Sequence, residues 1–329
     1  MRQPGCLIFF VPMYRFRLYQ EWIYMDIRKI EAFSKVYEHC SFSKAGKALY
    51  LSQPTISAHV ASLEQELEVQ LFDRIGRTVV PTKAGEVLYG HAKKIFEASE
   101  LAISELRKLQ DRITGKLDLG GSTIPANYIM PEILAQFWKK YPEVMMDLHI
   151  GDSEDIVTQV RNNELMLGVV GAVFESPDLH YEKIASDSLV LVMTPQLFEK
   201  YRHLAVGDLL QALPWVLRED GSGTRVAMAE SLSRFDIDIH SLRTVIMVRN
   251  AGAMARCLSA GMGASITSAI SVHHELEKGA LVAVDLPGLH LERSFHIVFN
   301  KKRSLFPAAL KLIEFFKNNA QNIAARSGS

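Results

Sequence analysis

The stretch from Ser41 to Leu67, SFSKAGKALYLSQPTISAHVASLEQEL, constrains the fold more than any other part of the chain. It reads as two short helices joined by a tight turn. The first is expected from Ser43 to Leu49, with Ser41 as an N-cap whose hydroxyl accepts from a first-turn N–H that has no helical partner. Phe42, Ala45 and Leu49 share one face, and Gly46 leaves room for a neighbouring helix to approach. The second helix opens at Ser52-Gln53-Pro54, where the missing proline N–H costs nothing. Ile56, Val60, Leu63 and Leu67 then recur at intervals of 4, 3 and 4, which makes one apolar stripe.

The opposite face carries Pro54, Thr55, Ala58 and Ser62, flanked by Ser57 and His59. These side chains are small or hydrogen-bonding, and none carries a fixed charge. Such a face can enter a DNA major groove and reach base edges, whereas an ordinary solvent face carries more Lys and Glu. The acids are held back to Glu64, Glu66 and Glu68 at the far end. Leu71-Phe72-Asp73-Arg74 and Ile75-Gly76-Arg77-Thr78-Val79-Val80-Pro81-Thr82 follow. They read as two short extended pieces around Gly76, a β-wing whose Arg74 and Arg77 can lie along phosphates or enter the minor groove.

The order helix, helix-turn-helix, wing, long helix resembles the LysR-type bacterial transcription regulators. Phe33, the SFSKAGKAL and LSQPTISAHVASLE segments and LFDR…PTKAGE carry this resemblance, unbroken from about Met25 to Leu109. With it, the expected DNA-binding residues are Ser43, Lys44, Ser52, Gln53, Pro54, Thr55, Ser57, His59, Arg74 and Arg77. One position departs from the family. Many members carry Arg after the Ser of the recognition helix, where this chain has Ala58. Direct readout therefore falls to Gln53, Thr55, Ser57 and His59. The segments GGSTIPANYIMPEIL, GDSEDIV, LGVVGA and LPWVLREDGSGTR resemble a subgroup associated with sulfur or selenium metabolism.

Charge sets a condition on this reading. The chain is neutral overall, and Asp26 to Thr82 holds seven Lys/Arg and seven Asp/Glu. Phosphate contacts need local positive charge. The acids must therefore turn away while Lys44, Lys47, Arg74, Arg77 and Lys83 face phosphates. The modest charge also calls for a dimer. The three cysteines, Cys6, Cys40 and Cys257, share no metal-ligand spacing and fit a reducing compartment. No run of 18 apolar residues is present, so no membrane partner is expected. The location implied is cytoplasmic. Met25-Asp26-Ile27-Arg28 looks like the natural start, with residues 1–24 a non-native or disordered extension.

Ile27, Ile30, Phe33 and Tyr37 mark a first helix, the third member of a small trihelical core. Thr82 caps a long helix with Glu86 in its first turn. Ala84, Leu88, His91, Ile95, Ala98, Ala102, Leu106, Leu109 and Ile113 approach a heptad pattern. This predicts a dimerisation helix ending at Thr114-Gly115. From Lys116 strands and helices alternate, which argues an α/β fold with mostly parallel sheets. That part resembles the family's effector domain, two lobes like type 2 periplasmic binding proteins. The resemblance divides the chain into a winged helix-turn-helix at 25–83, a linker helix at 84–115 and an effector-binding domain at 116–322. Lobe one is then 116–187 plus 291–322, and lobe two is 188–290.

A ligand in such a fold lies beyond strand carboxyl ends, near helix N-termini. Ser122 and Thr123 end one strand. Gly221-Ser222-Gly223-Thr224-Arg225 opens a helix, with Arg218 and Arg225 available as a bidentate clamp on an anion. Thr267 ends a further strand. The expected effector is a small anion between the lobes, and no cofactor or metal is called for. By the resemblance the partners are operator DNA, a second copy or a tetramer, and RNA polymerase. Two rival functions compete with this reading: an enzyme, and a solute-binding protein with a fused oligomerisation domain. Gly221-x-Gly223 lacks the third glycine of a dinucleotide fingerprint, and no P-loop, G-x-S-x-G elbow or metal-spaced His/Cys set occurs. No export signal supports the solute carrier.

Overall fold

A computed structural model of the chain describes residues 25–75, 78–109, 112–285 and 292–327. The expectation about residues 1–24 lies outside them. Contacts separate the chain into two compact units, divided between Glu100 and Leu101.

The first unit begins with α1 (Ile27–His39), capped by Asp26, which accepts from the Arg28 amide. Next come α2 (Phe42–Ala48), capped by Ser41, and α3 (Gln53–Glu66), capped by Ser52 with Pro54 in the first turn. The Ser41 cap and Pro54 stand where the sequence puts them, and Ser52, which opens α3, proves to be its cap. Ile56, Val60 and Leu63 are fully buried against Phe33, Val36, Ala45, Leu71 and Phe72. Each such apolar side chain contributes about 1.5–3 kcal/mol relative to exposure. Gly46 sits under the turn itself. A Cβ there would lie 2.7 Å from the Leu51 carbonyl oxygen, so the close approach comes from the turn backbone.

Strands β1 (Phe72–Ile75) and β2 (Thr78–Pro81) form the antiparallel wing. Glu64 anchors its base by accepting from the amides of Leu71 and Phe72 at 2.8 and 3.2 Å. Helix α4 (Lys83–Lys108) starts at Thr82, whose hydroxyl accepts from Gly85 N–H and donates to the Gln70 carbonyl. Tyr89 of α4 stacks on Tyr37 of α1 with ring centroids 4.0 Å apart. The expected run to Thr114 does not occur, since the helix ends at Lys108. Ile113 packs into the core of the second unit and Thr114 is buried, accepting from Arg107 Nη1 at 3.1 Å. Those anchors require the chain to leave the helix early.

The second unit contains β3 (Gly115–Ser122), a π-helical turn (Pro125–Ile129), α5 (Met130–Lys140), β4 (Val144–Gly151), α6 (Ser153–Arg161) and β5 (Leu167–Val170). Strand β6 (Leu179–Met193) leads to α7 (Pro195–Tyr201), α8 (Val206–Ala212), β7 (Trp215–Arg218) and α9 (Gly223–Ser233). Then come β8 (Thr244–Val248), α10 (Ala251–Ser259), β9 (Ser265–Ser268), α11 (Ala269–Glu277), β10 (Val282–Val284), β11 (Glu292–Asn300) and α12 (Pro307–Ser327).

The sheets are mixed, not mostly parallel. β3 is parallel to β4 and β5, and β7 to β8. β11 runs antiparallel to β5 and β6, and β6 antiparallel to β9 and β10. Strand β6 explains the mixture. It pairs with β11 from Leu179 to Ser188, then with β9 from Leu189 to Val192, and so passes from one lobe into the other. The β6 and β11 strands run opposite to each other, so the parallel units on either side are joined through antiparallel ones. One lobe buries Leu117, Leu119, Phe137, Phe295 and Phe316; the other buries Leu191, Leu210, Trp215 and Leu232. No helix among the described residues is long and apolar enough to cross a membrane.

Candidate functional sites

The recognition face of α3 is presented as its sequence implies. Ser52, Gln53, Pro54 and Ala58 are exposed, and Thr55, Ser57 and His59 half-buried. Among the described residues the side chains of Gln53, Ser57 and His59 have no hydrogen-bond partner. Ser52 and Thr55 are partly engaged already. Their hydroxyls lie 2.8 Å apart, and Ser52 Oγ accepts from the Thr55 amide. Ser43 and Lys44 of α2 are exposed beside this face. The arginine side chains of the wing, Arg74 and Arg77, lie outside the described residues. Tyr50, in the turn between α2 and α3, is 96 % exposed at a positive φ of 55°; nothing in its spacing marks it, because turn position sets its exposure.

Four acids of this unit are occupied from within. Glu64 holds the wing base. Glu66 receives Lys29, whose ammonium also donates to Ser62 at 2.9 Å. Glu38 takes Lys35, and Glu86 takes Lys83. Lys83 is therefore not an unpaired cation, although its side chain is 88 % exposed. Lys44 and Lys47 are exposed with no ion pair among the described residues. Residues 25–100 are neutral in sum, yet two cations without an ion pair among the described residues, Lys44 and Lys47, lie on α2 beside the recognition face.

The second site is a small, polar cleft between the lobes. Ser122, Thr123 and Ile124 line it from the end of β3, Asp152 and Ser153 from the start of α6, and Arg293 from β11. Arg218, Ser222, Gly223 and Thr224 line it from β7 and the start of α9. The geometry follows from strand ends meeting helix starts. Helix α9 has no side-chain cap, so its first amides face the cleft unsatisfied. The Ser122 and Thr123 hydroxyls make no hydrogen bond among the described residues. Gly223 is the point of closest approach between segments: a Cβ there would meet the Gly171 backbone at 2.6 Å.

Arg293 is the side chain that sequence reading missed. It is only 6 % exposed. Its Nε donates to Asp187 at 2.8 Å and its Nη1 to Thr224 at 3.0 Å, while Nη2 is sealed from solvent with no acceptor. Asp187 also accepts from Ser268 at 2.7 Å. Burial draws the Arg293 guanidinium below its ordinary pKa, and Asp187 opposes that shift. Arginine stays charged regardless. The one sequence signal was an arginine opening a strand, ERSFHIVF, whose later part is apolar. Asp152 and Ser153 follow β4 as Thr123 follows β3, so strand-end logic could have found them.

Of the residues expected to hold an effector, Ser122, Thr123, Arg218 and Thr224 come together in the cleft. Arg225 and Thr267 do not line it. Arg225 pairs with Asp220 at 2.9 Å and donates to the Arg218 carbonyl at 3.1 Å. Thr267 is buried, with its hydroxyl 3.3 Å from Ser271. Arg218 itself forks onto Glu219, with bonds of 2.8 and 2.6 Å. The two arginines thus each have a carboxylate, and they do not form an open clamp. A third cluster, Asp118, Asp147 and His149, has ligand atoms near one another on the surface; Lys116 already bridges its two carboxylates.

Comparison with known proteins covers both sites. Residues 27–86 match the bacterial regulatory helix-turn-helix protein, lysR family, and residues 110–321 match the LysR substrate binding domain. The HTH-type transcriptional regulator CbbR of Rhodospirillum rubrum is 30% identical over 295 residues, covering 90% of this chain and 97% of that protein. Among solved structures, full-length CbnR complexed with its target DNA has a TM-score of 0.62 at 22% identity, over 89% of this chain and 99% of that one. The regulatory domain of Synechocystis PCC6803 CcmR in complex with 2-PG has a TM-score of 0.55 at 24% identity, over 64% of this chain and 99% of that one. With a lysR-family helix-turn-helix, a LysR substrate binding domain and a near-full-length relative in CbbR, the chain belongs to the LysR family of transcriptional regulators.

Proposed function

We propose that the chain binds a specific operator through α3 and its wing, and that a small anion between the lobes changes this binding. The observation that carries the second half is the unpartnered, buried Nη2 of Arg293 beside the uncapped start of α9. A buried donor without an acceptor costs stability unless a ligand satisfies it. The CcmR regulatory domain, of the same fold, holds 2-PG. Ser122, Thr123 and Thr224 supply the hydroxyls around the anion, and Arg218 joins when Glu219 yields.

In this reading residues 25–83 bind DNA, 84–115 link and pair two copies, and 116–322 sense the effector. Val87, Ile95, Ile103 and Leu106 of α4 are exposed and apolar, which suits a two-helix contact. A dimer or tetramer would place recognition helices on successive major-groove faces and present them to RNA polymerase. The site of action is the cytoplasm, where the DNA is, and the chain performs no catalysis. Effector binding acts only if the two arrangements differ in affinity for it.

Fluorescence anisotropy tests this. Protein beginning at Met25 is titrated with DNA from upstream of its own gene and with scrambled DNA, at two salt concentrations, with and without candidate anions. Selective binding with a steep salt slope, altered by an anion, is the expected result. Equal weak binding to both DNAs, unmoved by every anion, rejects the proposal.

A further inference from the structure

The charges of the cleft are largely balanced before a ligand arrives. Glu219 occupies Arg218, and Asp187 occupies Arg293. Among the described residues, Asp152 is the charged side chain of the lining with no opposite charge beside it. Nor can it swing away. Its Oδ1 accepts from the Asp155 amide at 2.8 Å as the N-cap of α6. Its carboxylate also lies against Gly221, where a Cβ would meet Oδ1 at 2.7 Å and Oδ2 at 2.9 Å. The Glu154 amide, donating to the Gly221 carbonyl at 3.3 Å, holds the same two segments together.

One small cavity is therefore lined by Arg293, whose buried Nη2 has no acceptor, by the uncapped start of α9, and by a fixed carboxylate that can only accept. An anion seated on the donors meets Asp152 as a second negative charge, unless it offers a proton. A carboxylate repels a fully deprotonated anion and accepts a short, charge-assisted bond from one that keeps an O–H. We propose that Asp152 makes the cleft selective for a small anion that carries its own hydrogen-bond donor. The inference rests on the reading of the cleft as an anion site. The shared ligand chemistry is an oxyanion bearing an O–H, which hydrogen phosphate and hydroxycarboxylates both offer.

The test is calorimetric titration of the full chain near pH 7 with two matched pairs: inorganic phosphate against sulfate, and glycolate against acetate. Phosphate retains at least one proton there and sulfate none; glycolate adds a hydroxyl to acetate. Repulsion of the wrong anion together with the new bond predicts a preference of about tenfold or more for the O–H-bearing member of at least one pair. The pair that discriminates identifies the source. Asp152→Asn keeps the N-cap, since Asn caps as well as Asp, and removes the charge. It should abolish the preference and raise affinity for the member without O–H. Asp152→Ser, another capping residue, should do the same and so guards against a folding defect in one variant. Equal affinities within both pairs, or a preference that survives both substitutions, overturns the proposal and leaves the anion reading standing. Absence of binding by all four overturns both.

Discussion

The recognition face and the interlobe cleft are built in opposite ways. The face is contiguous: two caps, a turn and a stripe within Ser41–Leu67 place every side chain it uses. The cleft draws on the end of β3, the start of α6, the β7–α9 junction and β11. In the first, neighbours in sequence are neighbours in space, so propensity and periodicity suffice. In the second, each segment is ordinary alone, and only packing turns it into a site. The consequence is mechanical as well as informational. Gln53 and Ser57 of the face can change without unsettling their domain, while Arg293 of the cleft also ties the two lobes together through Asp187 and Thr224.

The most severe outcome should come from the cleft. Arg293→Leu leaves Asp187 buried with Ser268 as its remaining donor, and breaking a buried pair in this way costs about 3–5 kcal/mol. Denaturant unfolding should show that loss, and calorimetry should show no anion binding. A variant of near wild-type stability would mean that this charge pair does not carry the lobe junction. Next is Gly221→Ala, whose Cβ would lie 2.7 Å from Asp152 Oδ1. Overpacking of this kind costs about 1–3 kcal/mol. Anion affinity should fall while DNA affinity without anion is kept.

The face should answer differently. Replacing Gln53 or Ser57 by Ala should cost about 1–3 kcal/mol of operator binding for a lost base contact, with the melting temperature unchanged. Anisotropy and thermal melting, run side by side, check both halves. A double variant that keeps operator selectivity would remove these residues from the readout. Smaller still is Ser52→Ala, which loses the α3 cap and about 1 kcal/mol of stability. Last, Lys44→Ala should weaken operator and scrambled DNA alike and lower the salt slope by about one.

Legibility divided along the same line. Ser41 and Pro54 were readable because helix-start chemistry is local. Ser122 and Thr224 were readable because a strand end before a helix start is also local. The arginine clamp was not, because no spacing rule reveals that Arg218 turns to Glu219 next to it, or Arg225 to Asp220. The end of α4 was misjudged because the apolar series runs on to Ile113, while Ile113 itself serves another core. Parallel pairing was overestimated for a related reason. A strand such as β6 looks local, and its change of partner from β11 to β9 is visible only once both lobes are folded.

The order of residues alone determined a LysR-type helix-turn-helix, an α/β domain after it, and a neutral recognition face with Ala58 where an arginine is common. These follow from side-chain periodicity and capping, which act over one or two helical turns. The tertiary structure alone decided which cations stay available. It placed Arg293 in the cleft with a free Nη2, withdrew Arg225, and set Asp152 opposite. The physical reason is that a charge's role depends on what lies within a few ångströms of it, and for Arg293 folding brings Asp187 from 106 residues away and Thr224 from 69.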